Sequence, residues 1–345
     1  MLVKNILLAN FHESPENLHF ELALVRAVRK IKGLCLDIIH DFESDYGFIG
    51  KSLPPGGKRL KYSGPGSLDR LHRPDRGLVL LLDFPKRARC APGFIRLARG
   101  VPAKKKIFLA NHLIPMPGQN LAADLARRLK LLSAVDAGFM LEADDRRLWA
   151  GMGISGARLL ERGYASDCAY YSPVKEKPGD YVFSAGSAGR DFGALAEGVK
   201  RAGLALKVLS DSRPENLPSE VEFLSLSKNL DKLRAFAAAS RAVAVPVRDT
   251  YLNESAGNSI VFLAMALGRP VLTKSTPYMR RFIKDGKNGF FYKTLSPASI
   301  ALGLRRIQAL SPAALKKLGA AARRTVLRKA SLDRFCAGFL KRFAK

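Results

Sequence analysis

Short apolar runs alternate along the chain with segments whose apolar residues recur at helical spacing. Residues 3–8 read as a strand. Leu18, Leu22, Leu24, Val25, Val28 and Ile31 then fall near helical spacing, which predicts an amphipathic helix. Gly33 closes that helix, and residues 34–39 return as a strand. A strand–helix–strand opening implies a parallel sheet with right-handed crossovers. The alternation continues with strands at 77–83, 107–110 and 134–140 and helices over the basic segment 86–99, at 121–132 and at 144–152. After a polar, proline-containing stretch, SPVKEKPGD at 172–180, it starts again. Strands are expected at 181–184, 206–210, 221–224, 242–246 and 270–273, with helices at 193–202, 230–240 and 260–267. The pattern is that of an α/β protein with two doubly wound units, 1–175 and 176–325, divided in the polar linker. A last segment, 326–345, places Leu332, Phe335, Cys336, Phe339, Leu340 and Phe343 at i, i+3, i+4, i+7, i+8 and i+11, the stripe of an amphipathic helix. No short-period repeat is present, which argues against a solenoid.

Residues 47–77 break the pattern, with Pro, Gly, Lys and Arg crowded into a stretch of little apolar periodicity. Long loops within a domain are uncommon and usually functional or mobile. Two readings stand: an acceptor-side flap that touches something anionic, or a disordered insertion. The stretch has no G-x-x-x-x-G-K-[ST], so it is not a nucleoside-triphosphate loop.

Composition narrows the class. The chain has 345 residues, 47% hydrophobic and 26% charged, which suits two globular domains. The opening apolar run is broken by Lys4 and Asn5, too short for a secretory signal. No stretch approaches the roughly 20 apolar residues that a spanning helix needs. Cys35, Cys90, Cys168 and Cys336 lie far apart, with no CxxC or Cys/His cluster, so a reduced cytoplasmic setting and no zinc site are expected. The formal net charge is +28, of which the last 45 residues carry +11. Such a balance draws anionic partners, whether nucleic acid, acidic lipid surfaces or phosphorylated substrates. Dispersed Lys and Arg without an aromatic–basic motif make nucleic acid the weaker choice. The bland alternative is a solvated basic surface.

Candidate chemistry sits in two glycine-containing loops. After the strand at 181–184 come Gly186, Gly189 and Arg190, then a helix. Glycines between strand and helix let backbone donors meet a diphosphate, and an adjacent arginine binds it through two hydrogen bonds. The spacing is not G-x-G-x-x-G, so it makes no case for a dinucleotide. The second stretch, residues 254–289, holds Glu254, Ser255, Gly257, Asn258 and Ser259 ahead of an apolar helix. A buried strand and Lys274 follow, then the turn Asp285-Gly286-Lys287-Asn288-Gly289. All five histidines precede residue 113. A lone histidine is more often structural, but His112 follows a strand's carboxyl end, where open α/β sheets bind ligands.

Glu254, Gly257, Leu263-Ala264-Met265-Ala266, Gly268, Pro270-Val271, Asp285-Gly286 and Asn288-Gly289 together resemble the donor-binding domain of family 4 glycosyltransferases of the GT-B fold. Gly163, Asp167, Tyr171 and Pro173 are similar to that family's interdomain signature. The resemblance covers residues 160–325 well and the first half in outline. It implies two Rossmann-like domains facing a central cleft, with the C-terminal helix crossing back to pack on the N-terminal domain. The tail's basic residues then stay available to an anionic membrane.

The resemblance further implies a metal-independent, retaining transfer of a sugar from a nucleotide-sugar donor. The acceptor would be a glycan or a lipid-linked molecule at the inner face of the cytoplasmic membrane. In that scheme the leaving phosphate helps take the acceptor's proton, so no enzyme base is expected. Arg190 would bind the diphosphate, His112 would face the donor sugar, and Glu254 would contact the sugar or its neighbours. Lys274 is the candidate replacement for a lysine that many relatives carry after the arginine. No other cofactor is implied.

Two departures stand out. The first loop reads Phe11-His12-Glu13-Ser14-Pro15 where the family has a Gly-Gly pair. Leu263 occupies the place of the glutamate that holds the ribose hydroxyls. The alternative reading is therefore a catalytically degenerate, basic GT-B-like protein that binds a membrane surface or nucleic acid.

Overall fold

The structure, a computed structural model, describes residues 4–42, 53–64, 76–85, 88–110, 121–140, 147, 149–155, 158–174, 178–187, 189–225, 229–248 and 256–343. The chain forms two units, Met1–Gly163 with Phe335–Lys345, and Tyr164–Arg334.

The first unit opens with β1 (Asn5–Asn10), α1 (Pro15–Arg29) and β2 (Cys35–His40). Helix α1 starts where it does because Ser14 caps it, its hydroxyl accepting the Asn17 N–H at 3.3 Å, and because Pro15 has no N–H to leave unbonded. Strand β3 (Arg59–Lys61) and strand β4 (Arg76–Leu82) follow. Then come α2 (Ala91–Gly100), β5 (Lys105–Leu109), α3 (Leu121–Ser133), β6 (Ala137–Met140) and β7 (Leu159–Glu161). The seven strands pair in parallel in the order β3-β2-β1-β4-β5-β6-β7. Every residue of β1 and β4 is buried, as a parallel sheet covered on both faces requires. The order reverses between β1 and β4, so the loops leaving these two strands flank the unit's topological switch point.

The second unit repeats the plan. It consists of β8 (Tyr181–Ala185), α4 (Phe192–Arg201), β9 (Ala205–Ser210), β10 (Glu222–Ser225), α5 (Leu230–Ala239) and β11 (Ala242–Val245). After these come α6 (Asn258–Ala266), β12 (Val271–Lys274), α7 (Pro277–Arg280), β13 (Phe290–Tyr292), α8 (Pro297–Gln308) and α9 (Pro312–Lys329). Its parallel sheet runs β10-β9-β8-β11-β12-β13, with the switch point between β8 and β11. The last helix, α10 (Leu332–Phe343), carries the tail residues that belong to the first unit.

Several features go beyond the sequence pattern. The basic stretch at 47–77 is not loop throughout: β3 adds an edge strand to β2, with Ile38 opposite Arg59 and His40 opposite Lys61. Strand β13 closes the second sheet beyond β12, where the pattern showed only a turn. Residues 326–329 continue α9, and the tail helix starts afresh at Leu332 because the chain breaks at Ala330, with φ −143° and ψ 42°. The units divide at Gly163/Tyr164, ahead of the polar linker at 172–180. The residues just before that linker are anchored in the second unit. The Tyr164 N–H donates to the Tyr278 hydroxyl at 2.7 Å, and Ser166 pairs in parallel with Ser331. Arg323 donates to the carbonyls of Tyr171 at 3.1 Å and Cys168 at 3.3 Å.

Candidate active site

In the second unit the loop after β8 is tied at both ends. Gly186 N–H donates to the Leu209 carbonyl at 3.0 Å, and the Ser187 hydroxyl donates to Asp211 Oδ2 at 2.9 Å. Arg190 bridges Val247 in antiparallel fashion, with Arg248 N–H on the Gly189 carbonyl and Asp191 N–H on the Pro246 carbonyl, both at 2.9 Å. Asp191 then caps α4, its Oδ1 accepting the Ala194 N–H at 3.0 Å. The segment leaving β8 is thus stitched to the segment leaving β11 across the switch point. The Arg190 backbone has little freedom to move.

Its side chain is buried and lies between two glycines. Arg190 Nη2 is 3.1 Å from where a Cβ on Gly186 would stand and 3.3 Å from the corresponding point on Gly257. Gly257 has φ +87°, and a Cβ there would also come within 2.6 Å of Val245 Cγ1. Only glycine combines that backbone with room for the guanidinium. Gly257 is the N-cap of α6 and offers no side-chain acceptor, while its carbonyl takes the N–H groups of Ile260 and Val261 at 3.1 Å. The N–H groups of Asn258 and Ser259 at the helix start have no carbonyl of their own helix to bond. Asn258 is 3% exposed, and its Nδ2 has no hydrogen-bond partner among the described residues. A guanidinium, a helix N-terminus and an amide donor therefore adjoin one another at the carboxyl edge of the sheet. Such a set holds an anion, and a diphosphate has the charge and the number of acceptors for it.

Of the residues singled out from sequence, Gly186, Gly189, Arg190, Gly257, Asn258 and Ser259 meet here. Lys274 ends β12, half-buried, one strand beyond β11 and opposite Tyr292 in register. The Tyr292 hydroxyl accepts the Val247 N–H at 3.1 Å and so braces the end of β11. Leu263 is buried within α6. His112, Glu254 and Ser255 lie outside the described residues.

The first unit has a polar cluster at its own switch point. Asn10, at the end of β1, donates from Nδ2 to Glu21 Oε1 at 2.7 Å, and its Oδ1 accepts the His12 N–H at 3.0 Å. His40 Nε2 also meets Glu21 Oε1 at 2.7 Å, and Arg59 Nη1 approaches Glu21 Oε2 at 3.6 Å. His12 Nδ1 lies 2.8 Å from the Phe84 carbonyl and 3.5 Å from Asp83 Oδ2. Asp83 is fully buried and sits at φ +59°, a conformation that residues other than glycine seldom adopt. Phe84 also lines a shallow pocket with Phe94, Ile95, Arg127 and Arg128. The sequence pattern did not bring these residues together. The only local signal is an acidic residue directly after the apolar run of β4. Among the described residues no group of three or more His, Cys, Asp or Glu could hold a metal ion.

No family model matches the chain. No curated protein matches it in sequence. Solved structures do match in fold. A glycosyltransferase from Rickettsia africae ESF-5 superposes with a TM-score of 0.69 at 13% identity, covering 98% of this chain and 97% of that one. Sucrose-phosphate synthase from Thermosynechococcus elongatus gives 0.68 at 15% identity, over 98% of each chain. HepE of Anabaena, in complex with UDP and glucose, gives 0.70 at 9% identity, over 99% of each chain. At these identities the likeness is one of fold: two Rossmann-like units of parallel sheet and helix, the GT-B architecture.

Proposed function

We propose that the protein is a glycosyltransferase of the family 4 type that takes a sugar from a nucleoside-diphosphate donor. The observation that carries this reading is Arg190, buried between Gly186 and Gly257 beside the N-terminus of α6. Transfer requires that negative charge building on the leaving diphosphate be stabilised. A preorganised guanidinium and helix N–H groups supply that stabilisation without a metal ion. HepE of Anabaena, which shares the fold, is seen with UDP and glucose, and the present reading extends a nucleotide-sugar donor to this chain. Glu254 and Ser255 complete the donor contacts in this scheme, Lys274 adds a second cation, and His112 contacts the sugar. The acceptor is a glycan or a lipid-linked molecule. The net charge of +28 and the exposed Lys341 and Arg342 on α10 favour an acceptor presented at an anionic membrane surface. Among the described residues no helix is long and apolar enough to cross a membrane. Retention, which the family resemblance implies, is the expected course unless the first unit supplies a base.

Leu263 supports a second reading. It is buried, holds the position that the family resemblance gives to a ribose-binding glutamate, and cannot accept a hydrogen bond, which favours a protein that binds the diphosphate without turnover. Calorimetry with UDP, GDP, ADP and CMP on the wild type and on Arg190→Ala tests the site. One diphosphate should bind, and the variant should lose about tenfold to hundredfold in affinity, the worth of a charged hydrogen-bonding pair. Failure of all four to bind the wild type would remove the donor site and the reading with it. Tight binding with no transfer to any acceptor would favour the second reading.

A further inference from the structure

The second unit carries a basic surface that the candidate donor site does not use. From Arg280 to Leu332 the chain has thirteen Lys and Arg and one acidic residue, Asp285. That acid is already paired: Arg306 of α8 meets its Oδ2 at 2.8 Å, and its Oδ1 accepts the Phe291 N–H at 2.9 Å. Helix α9 has no acidic residue. Its solvent side follows from helical spacing, with Lys317, Ala320, Arg324 and Arg328 three and four positions apart and all exposed. Leu327 lies between the last two along the helix and is 41% exposed. The turn after α7 is fastened against this helix. Asn288 Nδ2 donates to Thr325 Oγ1 at 3.0 Å, and Lys329 Nζ donates to the Arg281 carbonyl at 2.8 Å. Asn288 is itself buried, and its Oδ1 accepts the Lys284 N–H at 2.7 Å, so the turn is held firmly while Lys284 and Lys287 stay at the surface. Like charges held together on rigid elements create a field that draws an anionic partner.

The side chains select among anions. A leucine between two arginines gains nothing from a nucleic-acid backbone. It gains burial from the interfacial region of a bilayer, whose headgroups receive the cations. Three large apolar side chains are exposed among the described residues, and two of them, Leu302 and Leu327, belong to this part of the chain. Leu302 stands one turn before Arg306 on α8. No aromatic side chain is exposed among the described residues, so the surface offers bases no platform for stacking. We propose that the solvent side of α9 and the turn at 284–287 dock on an anionic phospholipid surface. Lys284, Lys287, Lys317, Arg324 and Arg328 meet lipid phosphates, and Leu327 enters the headgroup region. The turn leads into β13 at the strand's amino end, whereas Arg190 follows the carboxyl end of β8. In a parallel sheet these are opposite edges, so docking leaves the candidate donor site open. Nothing in this docking depends on the glycosyltransferase reading, and the contact falls in the second unit, not on Lys341 and Arg342 of α10.

Sedimentation with sucrose-loaded vesicles reads docking with neither donor nor acceptor present. The full chain should bind vesicles of phosphatidylcholine mixed with phosphatidylglycerol, should ignore phosphatidylcholine alone, and should come off as salt is raised. A variant combining Lys287→Gln, Arg324→Gln and Arg328→Gln should bind about a hundredfold more weakly, roughly fivefold for each cation withdrawn. Leu327→Ser should cost about threefold to tenfold at unchanged charge. Leu327→Trp should shift its emission to the blue on the mixed vesicles, over the constant signal of Trp149, which is fully buried. Ile31→Ser removes an exposed apolar side chain from the first unit and should change nothing. All these positions but the Trp149 reference are exposed, and circular dichroism should show every variant folded. Binding that survives the triple variant and is lost in Lys341→Gln with Arg342→Gln would move docking to α10 and overturn the proposal. A surface that takes up DNA or RNA but no vesicles would belong to nucleic acid and overturn it equally. A wild type that docks but binds no diphosphate would end the glycosyltransferase reading and leave this surface standing; diphosphate binding without docking would do the reverse.

Discussion

Cys168 shows how burial sets chemistry at a single position. It is 2% exposed, and its thiol is pushed from an ordinary value of 9.0 to about 12, mainly by desolvation. Arg323 pulls the other way, while Asp167 and Asp333 add to the rise. The folded state therefore holds this proton more tightly than the unfolded chain does. The associated stability is complete below pH 9 and is lost as pH climbs from 9 toward 12. Urea unfolding at pH 8 and at pH 10.5 should show the wild type losing more stability over that interval than Cys168→Ala, and equal losses would refute the linkage. Cys168 should also resist alkylation at pH 8.5, since the thiolate is the nucleophile, whereas the half-buried Cys35 and Cys90 should react. The residues of the proposed donor site could be singled out at this scale because a glycine-containing loop between strand and helix, with an arginine beside it, lets backbone and side-chain donors meet an anion. The partnership of His12 with Asp83 was not, because 71 positions separate them and no residue pattern announces a left-handed aspartate.

Among the elements, the long strands and helices could be read because burial on both faces makes β1, β4 and β11 continuous apolar runs. Strands β3 and β13 could not. Each has three residues, β3 is largely exposed, and both are strands only because a longer neighbour offers its edge. The helix that presents its N-terminus to the candidate donor site, α6, is apolar all round, and α9 holds it in place. The Arg323 guanidinium of α9 donates to the Ala266 carbonyl at the end of α6. A Cβ on Gly319 of α9 would collide with the backbone carbonyl of Gly268, just past α6. That approach is close enough to exclude any side chain. Gly319→Ala should cost about 1–3 kcal/mol, the usual penalty of overpacking, and should weaken diphosphate binding by displacing α6. Calorimetric melting and a titration with the bound diphosphate check both halves. An unchanged melting temperature would mean that the two helices can separate without loss.

At the scale of the whole molecule, the chain leaves its first unit at Gly163, builds the second, and returns to the first from Phe335 onward. The two stretches that enter and leave the second unit lie side by side. Ser166 N–H donates to the Ala330 carbonyl at 2.8 Å, and Leu332 N–H donates to the Ser166 carbonyl at 2.9 Å. The stripe of α10 was legible as an apolar face, but periodicity alone does not say what covers it. The structure answers with aromatic contacts inside the first unit. Phe139 of β6 has Phe335, Phe339 and Phe343 at ring-centroid distances of 6.1, 5.7 and 5.9 Å, with interplanar angles of 86°, 65° and 84°. The Arg162 guanidinium lies over both Phe20 and Phe335, at 5.3 and 5.1 Å. The first unit's core is therefore finished by the last residues of the chain, and it cannot be complete until the second unit has been synthesised. Phe339 is 4% exposed. Phe339→Ala should destabilise the first unit by about 3–5 kcal/mol, as deletion of a buried aromatic ring does. Hydrogen exchange on the intact protein should show faster opening of β6 and α1, with protection of β8 and β11 unchanged. Equal loss of protection in both units would mean that they unfold as a single cooperative block, and that the tail stabilises the molecule rather than one unit.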